Sequence, residues 1–146
     1  MKQKVLYLFV LLAAILVGGG RKLEAQIMEP MDAHIPFQFH AGGAEFAAGE
    51  YSIRSTSEDN DGALEIQSAD GKKSALLETE PGDINSSQKN TELIFNQVGN
   101  DYYLSEVVDP DDAASAEVLE PDYPGKSEAA KTTTGKKHVF AFLHGH

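Results

Sequence analysis

The chain has 146 residues, with 12 basic against 23 acidic side chains and a net charge of −11. Such an acidic chain repels phosphate backbones and anionic lipid surfaces, so nucleic acid is excluded as an expected partner. Cysteine and tryptophan are both absent, which removes disulfides, thiol chemistry, cysteine–zinc centres and a lipid anchor on cysteine.

Residues 1–25 read as a signal peptide. Lys2 and Lys4 precede an unbroken apolar run over 5–17, and Gly18, Gly19 and Gly20 then break any helix. Thirteen apolar residues are too few for a membrane span, which takes about 18 or more. Leu23-Glu24-Ala25 offers a cleavage site between Ala25 and Gln26. Cleavage there leaves 121 residues with 8 basic and 22 acidic side chains, a net of −14. The expected organisation is a signal peptide over 1–25 and a single β domain over 26–146. Its expected location is extracytoplasmic, periplasmic or secreted, with no stable membrane span after cleavage.

The lead-in over 26–33 holds Pro30 and two methionines and has no clear period. The best-specified stretch follows, over 35–53. In a first strand Ile35, Phe37 and Phe39 alternate with Pro36, Gln38 and His40; in a second, Tyr51 and Ile53 alternate with Glu50, Ser52 and Arg54. A period of two buries one set and leaves the other in water. Pro36 lacks a backbone donor and predicts a sheet edge, or pairing on one side only near the strand's start. The glycine-rich connection over 41–49 carries Phe46, which is expected to fold back over the core.

A third strand is predicted over 63–67, with Leu64 and Ile66 inward, then an Asp70-Gly71 hairpin turn and a fourth strand over 73–79. The segment 80–90 is polar and reads as a loop. Strands over 91–98 and 102–108 carry apolar residues on both faces, which places them centrally. Asp109-Pro110-Asp111-Asp112 has the chemistry of a helix start and predicts a short helix near 110–119. The polar stretch 121–137 reads as a mobile acidic loop, and the apolar 138–144 as a last strand. The expected fold is all-β: one antiparallel β-sandwich or small barrel of about six or seven strands.

The series Ile35-Pro36-Phe37-Gln38-Phe39, Ala41-Gly42-Gly43 and Ala48-Gly49-Glu50-Tyr51-Ser52-Ile53 resembles a family of small exported bacterial proteins of unknown function. These carry a Pro-Phe-x-Phe strand, a glycine turn and an Ala-Gly-x-Tyr strand. Leu93-Ile94-Phe95 and Gly99-Asn100-Asp101-Tyr102-Tyr103-Leu104-Ser105-Glu106 extend the likeness, which covers about 35–108. It implies export and an all-β fold and assigns no catalytic residue. A tryptophan after Ser105-Glu106 is missing here, and the acidic segment after Asp109 is this chain's own.

Four kinds of site are weighed. His34 and His40, and likewise His138 and His144, sit six residues apart on one strand face. That separates each pair by about 20 Å, too far for a shared ion; His144 and His146 form at most a weak chelate. Ser57-x-Asp59-x-Asp61-Gly62 has the spacing of a calcium loop, but Ser68 stands where a bidentate glutamate belongs. No nucleophile elbow, His-Glu-x-x-His or phosphate loop is present. Asn85-Ser86-Ser87 has the form of a glycosylation acceptor and reads as a turn. Phe37, Phe39, Tyr51, Phe95 and Tyr103 form either a core or the lining of an apolar pocket.

Catalytic, metal and cofactor sites are therefore expected to be absent. The chain is expected to be an exported non-enzymatic β-scaffold, a binding or structural module. Its partner is a protein, an envelope component or a small ligand. The alternatives are a carrier of a small apolar ligand and a metal-dependent or hydrolytic enzyme.

Overall fold

The computed structural model describes residues 29–56, 62–85, 87–111, 113–119 and 133–144. Ten strands make up the described regular structure: β1 Met31–Ile35, β2 Phe39–Ala41, β3 Ala44–Phe46, β4 Gly49–Ser55, β5 Ala63–Ser68, β6 Ser74–Pro81, β7 Glu92–Val98, β8 Asp101–Asp109, β9 Ala114–Val118 and β10 Thr133–Leu143. Eight of them close into an antiparallel barrel in the order β1-β4-β5-β6-β9-β8-β7-β10, with β10 returning to β1. The short hairpin β2–β3 attaches to β8 through a parallel contact at His40 and Tyr103. The fold is therefore an all-β closed barrel rather than a sandwich, and the segment 138–144 pairs within its own sheet.

The increase from seven expected strands to ten has three local causes. Pro36 ends β1 instead of marking an edge, because without an N–H it cannot continue the ladder. β1 is paired on both sides, by β10 and β4, so the expected edge does not exist, and the chain resumes as β2 three residues after Pro36. The glycine connection contains β3, since Gly42 and Gly43 adopt positive φ and turn the chain tightly enough to pair Phe39 with Phe46.

The third cause is β9, where the expected helix near 110–119 is a strand. Asp109 and Pro110 build a turn in place of a helical first turn: the Ala113 N–H donates to the Pro110 carbonyl at 3.2 Å, and Ala113 has φ +49°. Beyond it, Ala114, Ala116 and Val118 recur at a period of two and face inward. The strand completes the ladders of both β8 and β6, whose backbone groups a helix would leave unpaired. Residues 133–137, expected within a loop, are the first half of β10; 121–132 lie outside the described residues, as do Ala25 and Gln26.

Alternation predicts the inward set well in β4 and β5: Tyr51, Ile53, Leu64 and Ile66 are all buried. In β8 it fails for a definable reason. Ile94 pairs with Glu106 but Phe95 pairs with Leu104, so Ser105 is a bulged extra residue, and its hydroxyl donates to the Ile94 carbonyl at 2.9 Å. The bulge moves the inward positions from Leu104 to Val107, a spacing of three instead of two. Both faces of β7 and β8 are indeed shielded: Leu93, Phe95, Leu104 and Val107 join the core, while Ile94 and Val108 are buried outside it.

β9 stops at Val118, opposite Thr79, so it does not reach the start of β6 or of β8. The β2–β3 hairpin occupies that space. From β8 it reaches to β6, where Gly42 lies against the Leu76 carbonyl. The Lys73 amine donates to the Glu45 carbonyl and lies 5.2 Å over the Phe46 ring. The hairpin drives Phe39 and Phe46, stacked with centroids 5.2 Å apart, into the interior, where Phe39 meets Tyr51 and Phe95 edge-on. Burying each of these rings contributes about 1.5–3 kcal/mol. Tyr51 is locked by its O–H, which donates to the Ala47 carbonyl at 2.6 Å; burial, aided by the nearby Asp70 carboxylate, pushes its phenol above the ordinary tyrosine range.

Two glycines separate backbone conformation from packing. Gly71 (φ +69°) turns in open space, whereas a Cβ on Gly42 (φ +57°) would stand 2.5 Å from the Leu76 carbonyl oxygen. Gly71→Ala is expected to lose only the left-handed backbone cost, about 1–2 kcal/mol. Gly42→Ala adds displacement of the plug from β6 and is expected to lose about 3 kcal/mol or more. Urea unfolding of the two variants side by side checks the difference.

Candidate binding surface

The interior is lined by a continuous cluster of buried apolar side chains. Phe39, Phe46, Phe95, Met31, Ile35, Ile53, Ile66, Leu77, Leu93, Leu104 and Val107 are essentially shielded from solvent. Of the five residues that were candidates for a pocket lining, Phe39, Tyr51 and Phe95 belong to this core. Phe37 packs against it at the plugged mouth, with Phe95 edge-on at 5.1 Å and Tyr102 at 4.3 Å, beneath the Lys137 ammonium. Tyr103 lies apart, its ring stacked on His40 at 4.8 Å.

The chemistry is on the outer wall, and β10 is its centre. Val139 and Ala141 point inward and are buried, which leaves Lys136, His138, Phe140, Phe142 and His144 on the outside at a period of two. Phe140 is 60% exposed and Phe142 71%, an unusual state for two large aromatics on one strand face. Each faces a carboxylate in register on the neighbouring strand: Phe140 opposite Glu92 of β7, Phe142 opposite Asp32 of β1. Each carboxylate in turn meets a flanking histidine. His138 Nδ1 is 3.1 Å from Glu92 Oε2, and His144 Nδ1 is 2.8 Å from Asp32 Oδ2. The stripe therefore reads His, Phe, Phe, His along β10, bracketed by one acid on either side.

Two clefts extend this surface across the wall. A cleft of about 550 Å³ separates the β6–β7 loop from the outer faces of β7, β8, β9 and β10, with Phe140, Glu92 and Ile94 on its barrel side and Asp83 on its loop side. A second, of about 310 Å³, continues past Glu106, Glu117 and Lys136 to Leu119. The loop itself is anchored where the Gly82 N–H donates to the Ser115 carbonyl at 2.8 Å. Registers align His138, Ile94, Glu106, Glu117 and Glu80 in one row across five strands. Glu117 thus stands opposite both Glu106 and Glu80, and Lys136 lines the same cleft as Glu106 and Glu117. The Ser115 hydroxyl donates to Glu106 Oε1 at 2.7 Å and holds that carboxylate in place.

The remaining candidate residues are dispersed. His34 pairs with Glu50 at 2.5 Å, and His40 Nε2 stands 4.0 Å from Asp101. Each described histidine thus meets one carboxylate from an adjacent strand, and among the described residues no three potential ligands gather to hold a metal ion. Residues 57–61 of the calcium-like spacing lie outside the described residues. Ser68 ends β5, and its hydroxyl donates to Asp70 Oδ1 at 2.7 Å. The Lys72 N–H above all, and then that bond, hold the Asp70 carboxyl below the usual carboxylate range. Asn85 forms a turn, accepting from the Ser87 N–H at 2.8 Å; Ser86 and His146 lie outside the described residues, and Asp111 is exposed beside its turn. Among the described residues no helix is long and apolar enough to cross a membrane.

Sequence reading noted the parity of His138 and His144 and the apolar character between them, but not the orientation of the strand. Alternation in HVFAFLH was the available signal, and it fits either face. No family model, curated protein or solved structure matches this chain.

Because Phe140 and Phe142 lie outside the core, replacing both with threonine keeps strand propensity and is expected to change stability by no more than about 0.5 kcal/mol per site. Leu93→Ala, on the inner face of the adjoining strand, is expected to lose about 2–5 kcal/mol. Thermal and urea unfolding of the two variants check the contrast.

Proposed function

We propose that this chain is an exported, non-enzymatic β-barrel scaffold that acts as a binding or structural module through its outer wall. The observation that carries this reading is the outer wall, where two large aromatics stand exposed beside carboxylates and clefts while the apolar core cluster faces the interior. A rigid barrel has strand faces and loops to offer, and these are where recognition resides in such scaffolds. Export rests on the leader-like residues 1–25, and the motif resemblance over 35–108 agrees with it.

Native mass spectrometry of the protein recovered from the extracytoplasmic fraction of its own host tests this reading. The expected species is a polypeptide beginning at Gln26 with no retained small molecule. A stoichiometric apolar ligand or a metal ion would overturn the reading in favour of a carrier or a metalloprotein. An intact N-terminus would overturn export by cleavage.

A further inference from the structure

The stripe on β10 raises the question of what covers it. Two phenylalanines on one strand face, both more than half exposed, form a contiguous apolar patch of the kind that marks an interaction site. Three occupants deserve comparison: a second copy of this chain, a lipid surface, and a different protein. The charge decides among them. A second copy would bring another net charge of −11, or −14 after cleavage at Gln26, against the patch and set Asp32 and Glu92 against their own duplicates. An anionic membrane meets the same repulsion. A cationic segment meets attraction instead. Carboxylates flank the phenylalanines on both sides, Asp32 on β1 and Glu92 on β7, and the row from Glu106 through Glu117 to Glu80 continues along the adjoining wall. Lys136 and Lys89 also line the clefts, but the carboxylates Asp83, Glu92, Glu106 and Glu117 outnumber them there, so the surface attracts a positively charged neighbour.

We propose that the outer face of β10, with the cleft beside it, docks an extended cationic segment of a partner protein, in which lysine or arginine alternates with apolar side chains. Resting on the interaction-module reading above, it specifies that module's surface and the chemistry of its partner. Apolar side chains of the segment pack on Phe140 and Phe142, which sit in register with the acids that receive its charges. Arginine and lysine also gain from the exposed ring faces. The distance from His138 to His144, about 20 Å along a strand, matches a segment of about six to eight residues. Ile94, buried on the outer wall, gives the cleft an apolar floor beside the stripe.

The first test is fluorescence anisotropy with a labelled peptide of about eight residues alternating lysine and leucine. The expected result is saturable binding that weakens by about tenfold or more in the Phe140→Thr, Phe142→Thr double variant. A lysine–serine peptide is expected to bind about tenfold more weakly than lysine–leucine, and a glutamate–leucine peptide not at all. Equal binding of the wild type and the double variant would overturn the proposal by showing attraction to net charge alone, and absence of saturable binding would overturn it outright. The second test places a photo-crosslinking amino acid at position 142, or at position 72 on the β5–β6 turn, in the native host. Cross-links from 142 to a lysine- or arginine-rich apolar segment are expected. Cross-links from 72 only would leave the interaction module standing and remove the stripe from it; cross-links from 142 to the chain itself would assign the face to self-association and overturn the proposal. No cross-link from either position, together with a retained ligand in native mass spectrometry, would overturn both readings.

Discussion

The structure depends on one strand being paired on both sides. β10 lies between β7, which it follows from Val98 to Glu92, and β1, which it meets from Ala33 to Met31. Without it, the remaining strands form one open sheet running from β1 through β4, β5, β6, β9 and β8 to β7, joined in the middle by β6–β9. Such a sheet has two long edges of unpaired backbone groups and a core open along one side. Inserting β10 satisfies both edges together and encloses Met31, Ile53, Leu93 and Phe95. With no cysteine to staple the chain, closure by hydrogen bonding and apolar burial has to carry the stability.

Closure constrains what each wall contributes to the interior. β10 offers Val139 and Ala141 with Leu143 at its end, and β9 offers Ala114, Ala116 and Val118, whereas β1 alternates Met31, Ala33 and Ile35. The rings come from the β2–β3 hairpin, β4 and β7: Phe39, Phe46, Tyr51 and Phe95. Small residues on some strands and large ones on others fit a closed eight-stranded wall, whose interior is only wide enough for interdigitating side chains. On β10 Val139, Ala141 and Leu143 take the inward positions, and Phe140 and Phe142 take the alternate, outward ones. The strand that closes the barrel therefore also displays its aromatic surface.

Much of this was legible from residue pattern, and the rest was hidden for physical reasons. The inward faces of β4 and β5 follow from simple alternation, and the Asp70-Gly71 turn from local chemistry. β8 was illegible as a single phase because Ser105 bulges and shifts it. β9 was misread because Asp109 and Pro110 serve a tight turn as well as a helix start, and only the unpaired edges of β6 and β8 decide between them. Pro36 was misread as an edge, because a missing backbone donor is accommodated equally well by ending the strand there. The surface on β10 was the least legible part. Alternation in 138–144 fits either face, and only the pairing register with β7 and β1 decides which set points outward.

The pairing of Met31 with Leu143 has a temporal consequence. The two residues are 112 positions apart, and at ~5–20 residues per second synthesis separates them by roughly 6–22 s. Throughout that interval the earlier strands exist as an incomplete cylinder, whatever order they pair in, because the segment that seals them has not been made. A nascent chain that has passed Val98 but not reached residue 133 leaves β1 and β7 without their β10 partner, as open edges of the form most prone to pairing with a neighbour. The strong negative charge of the chain keeps such intermediates apart, so the acidity that shapes the finished surface also protects the unfinished one.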